Sequence, residues 1–260
     1  MMTHGLARLP SRLAKAPPAR ARVISFRDAK TDRTSYAEHG PCLPAGLDAE
    51  ALRKLDAVFC DHARMRKREV LYRAGEAFTA LYAIRLGTFK TLVMAEDGRE
   101  QITGYHMAGD IVGLDGIGQE HHACEAIALE DSEVSALPFA KLNDLAHREP
   151  ALRRNLLRLI SDDLRRGQDM MLQLGRMRAE ERLAAFLLNL AERHRSRGYS
   201  ASEFTLRMTR EEIASYLGLK LETVSRCFSH LQEGGLIQVQ GRAIKLLDLP
   251  ALTHLAGHGR

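Results

Sequence analysis

Tryptophan is absent from the 260 residues, and aromatics make up only 5% of the chain. No run of 18 apolar residues occurs, so nothing supports a membrane span. Cysteine is sparse: Cys42, Cys60, Cys124 and Cys227 stand far apart without a C-x-x-C pair, which fits neither a disulfide framework nor a zinc ribbon. With no secretory signal, the expected setting is the reducing cytoplasm, with no membrane partner. A spaced H-x-H with a distant acid is missing too, so no cupin-like enzyme is expected, nor any other enzyme. His121, His122 and Cys124 complete no metal or haem site by spacing and read as surface histidines beside a thiol.

Net charge is +5 and the pI about 9.1, which invites a nucleic-acid partner. The excess is concentrated, however: residues 1–41 hold 8 Lys or Arg against 3 Asp or Glu, leaving 30 of each sign in the remaining 219. That leader is rich in Arg, Ala and Pro with little apolar periodicity. It reads as a disordered basic tail rather than a targeting leader.

The stretch with most information is Met208–Arg226, MTREEIASYLGLKLETVSR. Thr209 with Glu212 three residues on is a capping box, and Ile213, Tyr216 and Leu217 give one apolar face at helical spacing. Gly218 follows where a left-handed residue would stop the helix. A second helix opens near Leu221, with Leu221, Val224, Phe228 and Leu231 on a packing face and Glu222, Ser225 and Arg226 on the other. In a helix-turn-helix the N-terminal residues of the second helix meet base edges in the major groove. There Arg can bond guanine O6 and N7, Glu can accept from cytosine N4, and Ser can reach a base or a phosphate. The candidate contacts to double-stranded DNA are Thr209, Glu222, Thr223, Ser225 and Arg226.

Upstream, Leu43–Asp56 suits a short lead-in helix capped by Asp48. Residues 58–140 then carry short apolar runs punctuated by Gly, the signature of a small antiparallel barrel or sandwich. Asp97-Gly98 sits between two alternating runs as a hairpin turn. Beyond Phe139 the period changes, and a helix of roughly 40 Å at 1.5 Å per residue is expected from about Glu149 to Met177. Leu157, Ile160, Leu164, Gly167, Met171 and Leu174 fall on alternating three- and four-residue steps, the spacing of a coiled-coil seam, and predict a homodimer. Leu152, Leu156, Leu159, Met170 and Leu172 form a second stripe for the barrel. A further helix spans Ala179–Arg195, closed by Gly198, and residues 236–246 read as a hairpin turning at Gly241, the wing of a winged helix.

In this order these parts resemble the Crp/Fnr family of bacterial regulators, from about Cys42 to His258. AGEAFTALYAIRLGTFKT, EQITGYHMAGDIVGLDGIG, AEERLAAF, FTLRMTREEIASYLGL, ETVSR and the closing LAGH are similar to its FNR branch, regulators of anaerobic gene expression. The resemblance implies an α+β chain in four parts. They are a basic tail (1–41), a cyclic-nucleotide-binding-like antiparallel β-barrel of jelly-roll type (42–148), a dimerisation helix (149–178) and a winged helix-turn-helix (179–260). It implies that Glu222, Ser225 and Arg226 read a palindromic TTGAT–ATCAA type site, and that the turn of Asp97 and Gly98 touches RNA polymerase.

Departures from the family pattern are equally specific. The FNR branch holds a 4Fe-4S cluster on four cysteines, three of them in a C-x-x-C-x5-C leader. Only Cys42 matches; Arg33, Tyr36 and Ser135 stand at the other ligand positions, and four thiolates are what such a cluster needs. No cluster is expected by that scheme. Cluster-bearing relatives carry Asp where this seam has Gly167, so the departure implies a dimer independent of oxygen-labile metal. The stretch GDIVGLDGIGQEHHACEA lacks the Arg that a cyclic AMP phosphate would need, so cyclic AMP is not expected. Cys227, beside Arg226 near the positive end of its helix, is a candidate redox thiol, weighed against a partly buried small apolar residue.

Overall fold

The computed structural model describes residues 49–59, 62–95 and 98–257. The basic tail, Cys42, Cys60 and Asp97 lie outside the described residues.

A helix α1 (Ala49–Val58) leads into eight strands: β1 (His62–Met65), β2 (Val70–Tyr72), β3 (Ala80–Leu86), β4 (Thr88–Met94), β5 (Glu100–Met107), β6 (Ile111–Val112), β7 (Glu125–Ala128) and β8 (Ser132–Pro138). They pair as two four-stranded antiparallel sheets, β1-β8-β3-β6 and β2-β7-β4-β5, the alternation of a jelly roll. Of the barrel or sandwich expected from the strand runs, the structure takes the sandwich form, two sheets rather than one closed barrel. Gly87 shows why. It is the single residue between β3 and β4, which belong to different sheets, and its φ of +91° takes the chain round the corner. A Cβ there would lie 2.0 Å from Ser132 Oγ, so only glycine fits.

Between the sheets lie Met65, Tyr72, Ile84, Phe89 and Val134. The outer face of the first sheet is covered by α1, by α2 (Phe139–Arg148) and by the start of α3 (Pro150–Arg176), through Leu55, Leu81, Leu137, Leu142 and Leu152. The helix expected from about Glu149 to Met177 is α3, and α2 stands before it as a separate helix that the expectation lacks. The break between the two falls at Glu149, extended at φ −117° and ψ 93° because Pro150 follows it.

After α3 come α4 (Ala179–Arg195), β9 (Glu203–Thr205), α5 (Arg210–Leu217), α6 (Leu221–Glu233), β10 (Ile237–Gln240), β11 (Ala243–Leu246) and α7 (Leu249–Gly257). The expected wing is the hairpin β10–β11, turning at Gly241 with φ +60°. Strand β9 adds a third member, in the order β10-β11-β9. The core of this region contains Leu183, Leu187, Ile213, Leu217, Val224 and Phe228, each of which contributes about 1.5–3 kcal/mol by leaving water. That core is continuous with Leu92, Ile102 and Tyr105 of the second sheet and with Leu129 just after β7. The reading unit is thus packed onto the sandwich of its own chain.

Candidate nucleic-acid interface

The helix pair forms as its capping chemistry dictates. Thr209 Oγ1 accepts from the Glu212 amide at 3.1 Å, and Glu212 Oε2 accepts from the Thr209 amide at 2.7 Å. Two donors that a helix start leaves without partners are thereby satisfied. Gly218 ends α5 at φ +61°, ψ +39°. At the start of α6 the cap position is Lys220, which makes no side-chain cap bond.

The faces of α6 separate cleanly. Val224, Cys227, Phe228 and Leu231 are buried, while Glu222, Ser225 and Arg226 are exposed and Thr223 is half-buried. Leu221, expected on the packing face, is 43% exposed as the first residue of the helix. Three groups able to read bases or phosphates therefore project from the first two turns, with no partner side chain holding Arg226 or Glu222 back among the described contacts. Arg210 was not singled out from the sequence, although it follows the capping Thr209. Its guanidinium lies 3.1 Å from the centroid of the Phe228 ring, joining α5 to α6, and burial pushes its pKa down to about 10.

Arg182 was likewise missed. Its guanidinium donates to the carbonyls of Leu174 at 2.7 Å, Met177 at 3.0 Å and Leu217 at 3.0 Å. One cation thus closes the C-terminal ends of both α3 and α5. No local pattern announces it, because the three carbonyls come from α3, the α3–α4 connection and α5.

Of the two readings of Cys227, a redox thiol or a partly buried small apolar residue, its surroundings fit the second. The residue is 4% exposed, and burial first, then the nearby Glu180 carboxylate, push its thiol up rather than down. Its place is the α6 core, not the reading face.

Along α3, Leu157, Leu164 and Met171 are 61–67% exposed, Ile160 is 40% exposed, and Gly167 has open space around it. Leu174 departs from that stripe. It is half-buried and packs against its own chain's Gly218, where a Cβ would stand 3.0 Å from Leu174 Cδ2. From the second stripe, Leu152, Leu156 and Leu159 do face the sandwich, whereas Leu172 is 45% exposed. At the β4–β5 turn Gly98 adopts φ +82°, with its amide bonded to the Ala95 carbonyl at 2.9 Å; Asp97, the other half of the candidate polymerase contact, is outside the described residues.

A cavity of about 410 Å³ lies between the second sheet, α3 and α4, lined by Tyr105, His106, Asp115, Cys124, Arg166 and Phe186 among others. Asp115 Oδ2 accepts the amides of Ala123 at 2.7 Å and Cys124 at 3.2 Å in the loop before β7. The N–H donors at that end are already taken by a carboxylate, and an incoming anion would meet that negative charge. Burial, with Asp115 beside it, pushes the Cys124 thiol up to about 12. His122, read as a surface residue, is 2% exposed and stacked on Tyr72 with ring centroids 3.7 Å apart. Among the described residues no group of three His, Cys, Asp or Glu is placed to hold a metal, and no helix is long and apolar enough to cross a membrane.

Residues 63–149 match the family model of the cyclic nucleotide-binding domain, and residues 181–255 that of the Crp-like helix-turn-helix domain. The chain is 45% identical over 219 residues to the fumarate and nitrate reduction regulatory protein of Escherichia coli strain K12, covering 84% of this chain and 88% of that one. It is 44% identical over 216 residues to the transcriptional regulatory protein btr of Bordetella pertussis, covering 83% and 89%. Among solved structures, FixK2 from Bradyrhizobium japonicum superposes with a TM-score of 0.70 at 34% identity, over 75% of this chain and 96% of that chain.

Proposed function

The chain belongs to the Crp/Fnr family of DNA-binding transcription regulators, and from that premise we propose that it acts as a cytoplasmic homodimer on a palindromic TTGAT–ATCAA type site. The genes it controls are those of anaerobic or redox-responsive metabolism, as the name of its fumarate and nitrate reduction relative suggests. One observation carries the reading: Glu222, Ser225 and Arg226 stand exposed on the first two turns of α6, while Val224, Cys227 and Phe228 anchor the same helix in the core. The exposed 157–171 stripe of α3 supports the dimer, since isolated apolar helix faces of this spacing bury themselves against a like helix. RNA polymerase is the further partner, through the turn that contains Gly98.

The test is a gel shift on a TTGAT–ATCAA duplex. Arg226→Ala should weaken specific binding by about 1–3 kcal/mol while leaving nonspecific binding nearly unchanged. Equal affinity of both proteins for the operator would remove Arg226 from the reading set.

Neither a cyclic nucleotide nor a 4Fe-4S cluster is part of this proposal. Asp115 already accepts from the Ala123 and Cys124 amides at one end of the cavity, and its charge would repel an incoming phosphate there. The two described cysteines, Cys124 and Cys227, sit in different domains, one in the sandwich and one in the reading unit. Protein purified in air should sediment as a dimer, and a monomer would overturn this. A second reading, control by a small uncharged effector, has its own observation. The Tyr105 hydroxyl and His106 Nδ1 are buried without a hydrogen-bond partner, and both residues line the cavity. Burial also pushes His106 down to about 4, so it meets a ligand as the neutral ring.

A further inference from the structure

The sheet order leaves β5 at an edge, and an edge strand presents backbone groups that need partners. Here the partner is α5 of the reading unit. Ser215 Oγ accepts from the Ile102 amide at 3.0 Å and donates to the Glu100 carbonyl at 3.1 Å, while the Gln101 side-chain amide donates to the Ser215 carbonyl. One serine therefore stands in for a missing strand.

Two ionic contacts flank this seam. Lys90 of β4 pairs with Glu212 at 2.9 Å, and the side chains are only 13% and 20% exposed. Glu212 is the same carboxylate that caps α5. On the far side Asp110, at the turn after β5, takes both Arg193 and Arg197 of the α4 end, the latter at 2.6 Å. Arg193 also donates to the Tyr105 carbonyl at 2.8 Å and Arg197 to that of Ala108 at 2.6 Å. Against the burial that would raise it, the two guanidiniums hold the Asp110 carboxyl below its ordinary range. Between the ionic contacts, Tyr105, Phe186 and Tyr216 meet with ring centroids 5.0–6.0 Å apart.

Enclosed ion pairs contribute little net stability once desolvation is counted, but they fix register and orientation. Three separated contacts each oppose a swing of the reading unit about the others. None of them touches the exposed face of α6, so the docked arrangement leaves Glu222, Ser225 and Arg226 free.

We propose that this docking seam sets the half-site spacing the protein accepts, with Lys90 and Ser215 as positioning residues for DNA reading. The inference rests on the dimer and palindrome reading above. Two heads fixed relative to their dimer helices present their reading helices at one separation, and a duplex with that separation gains the full benefit of linkage. Heads that swing lose effective concentration at the correct spacing and tolerate incorrect ones.

The experiment uses full-length Lys90→Met, Ser215→Ala and the double variant. Fluorescence anisotropy measures binding to an isolated half-site, to the palindrome, and to palindromes with one or two base pairs added or removed between half-sites. The wild type should prefer the correct palindrome by roughly 10²-fold over the half-site, within the range linkage supplies. The double variant should lose about tenfold on the palindrome, keep its half-site affinity, and discriminate less between spacings; Lys90→Arg should restore the wild-type pattern. Unchanged spacing discrimination in the double variant would overturn the seam's role alone. Equal losses on half-site and palindrome would also overturn it, by showing damage to the reading unit itself. A wild type that binds half-site and palindrome equally would overturn the dimer reading and the inference with it.

Discussion

Two helices of this protein, α3 and α6, each bury one face and leave another free, and the free faces are opposite in kind. On α6 the free side is Glu222, Ser225 and Arg226; on α3 it is Leu157, Ile160, Leu164 and Met171. A polar face costs nothing in water and gains only when a partner supplies matching donors and acceptors in place of hydration. An apolar face of that size is already unfavourable in water and is relieved by nearly any complementary apolar surface. In the function proposed above, selectivity belongs to α6 and affinity for a like helix to α3. A regulator that must discriminate sequences while assembling reliably needs both.

The comparison breaks most visibly on the α3 side. Leu157→Glu with Leu164→Glu should convert a sedimenting dimer to a monomer and lower palindrome affinity by roughly 10²–10⁴-fold, because linkage of two heads is lost. Half-site affinity should stay as it was. Arg226→Ala works in reverse: sedimentation is unchanged, and specific binding falls by about 1–3 kcal/mol. If either variant altered both readouts, the division between the helices would be wrong. Next in size is Thr209→Ala, which removes the cap of α5 and should reduce thermal stability of the reading unit by about 0.5–2 kcal/mol, followed by calorimetry. The smallest effect at neutral pH concerns Asp110. Its folded carboxyl titrates below the unfolded value of roughly 3.9, so its contribution is full above that value and fades as pH falls below it. Protection of the Ile102 amide, with the intrinsic pH dependence of exchange divided out, should fall over that acid range, and Asp110→Asn should abolish that loss of protection.

The reading unit was the more legible half. Its capping box, the left-handed Gly218 and the Gly241 turn are local rules, and each is satisfied by residues within a few positions of one another. The faces of α6 follow from periodicity, apart from Leu221 at its first position. The sandwich was legible only as a collection of strands. Which sheet a strand joins is decided by corners such as Gly87, and a short apolar run carries no mark of its neighbours. Leu174 shows the same limit. Its spacing suits the seam, but the α3–α4 hinge turns it toward Gly218 of its own chain. His122 is polar by type and buried in fact, because the stack on Tyr72 is a contact between residues fifty positions apart. The same holds for Arg182, Lys90 and Asp110, whose partners are distant in sequence.

Asp115 carries a consequence for how such a protein is addressed. The amides of Ala123 and Cys124 are held by a carboxylate tethered to the same backbone. A tethered occupant has no free concentration, so no rise or fall in a soluble metabolite can fill or empty that seat by mass action. Burial opposes the carboxylate's charge, yet the His122 ring and the two amides hold its pKa below the ordinary value, so neutral-range acidity does not withdraw it either.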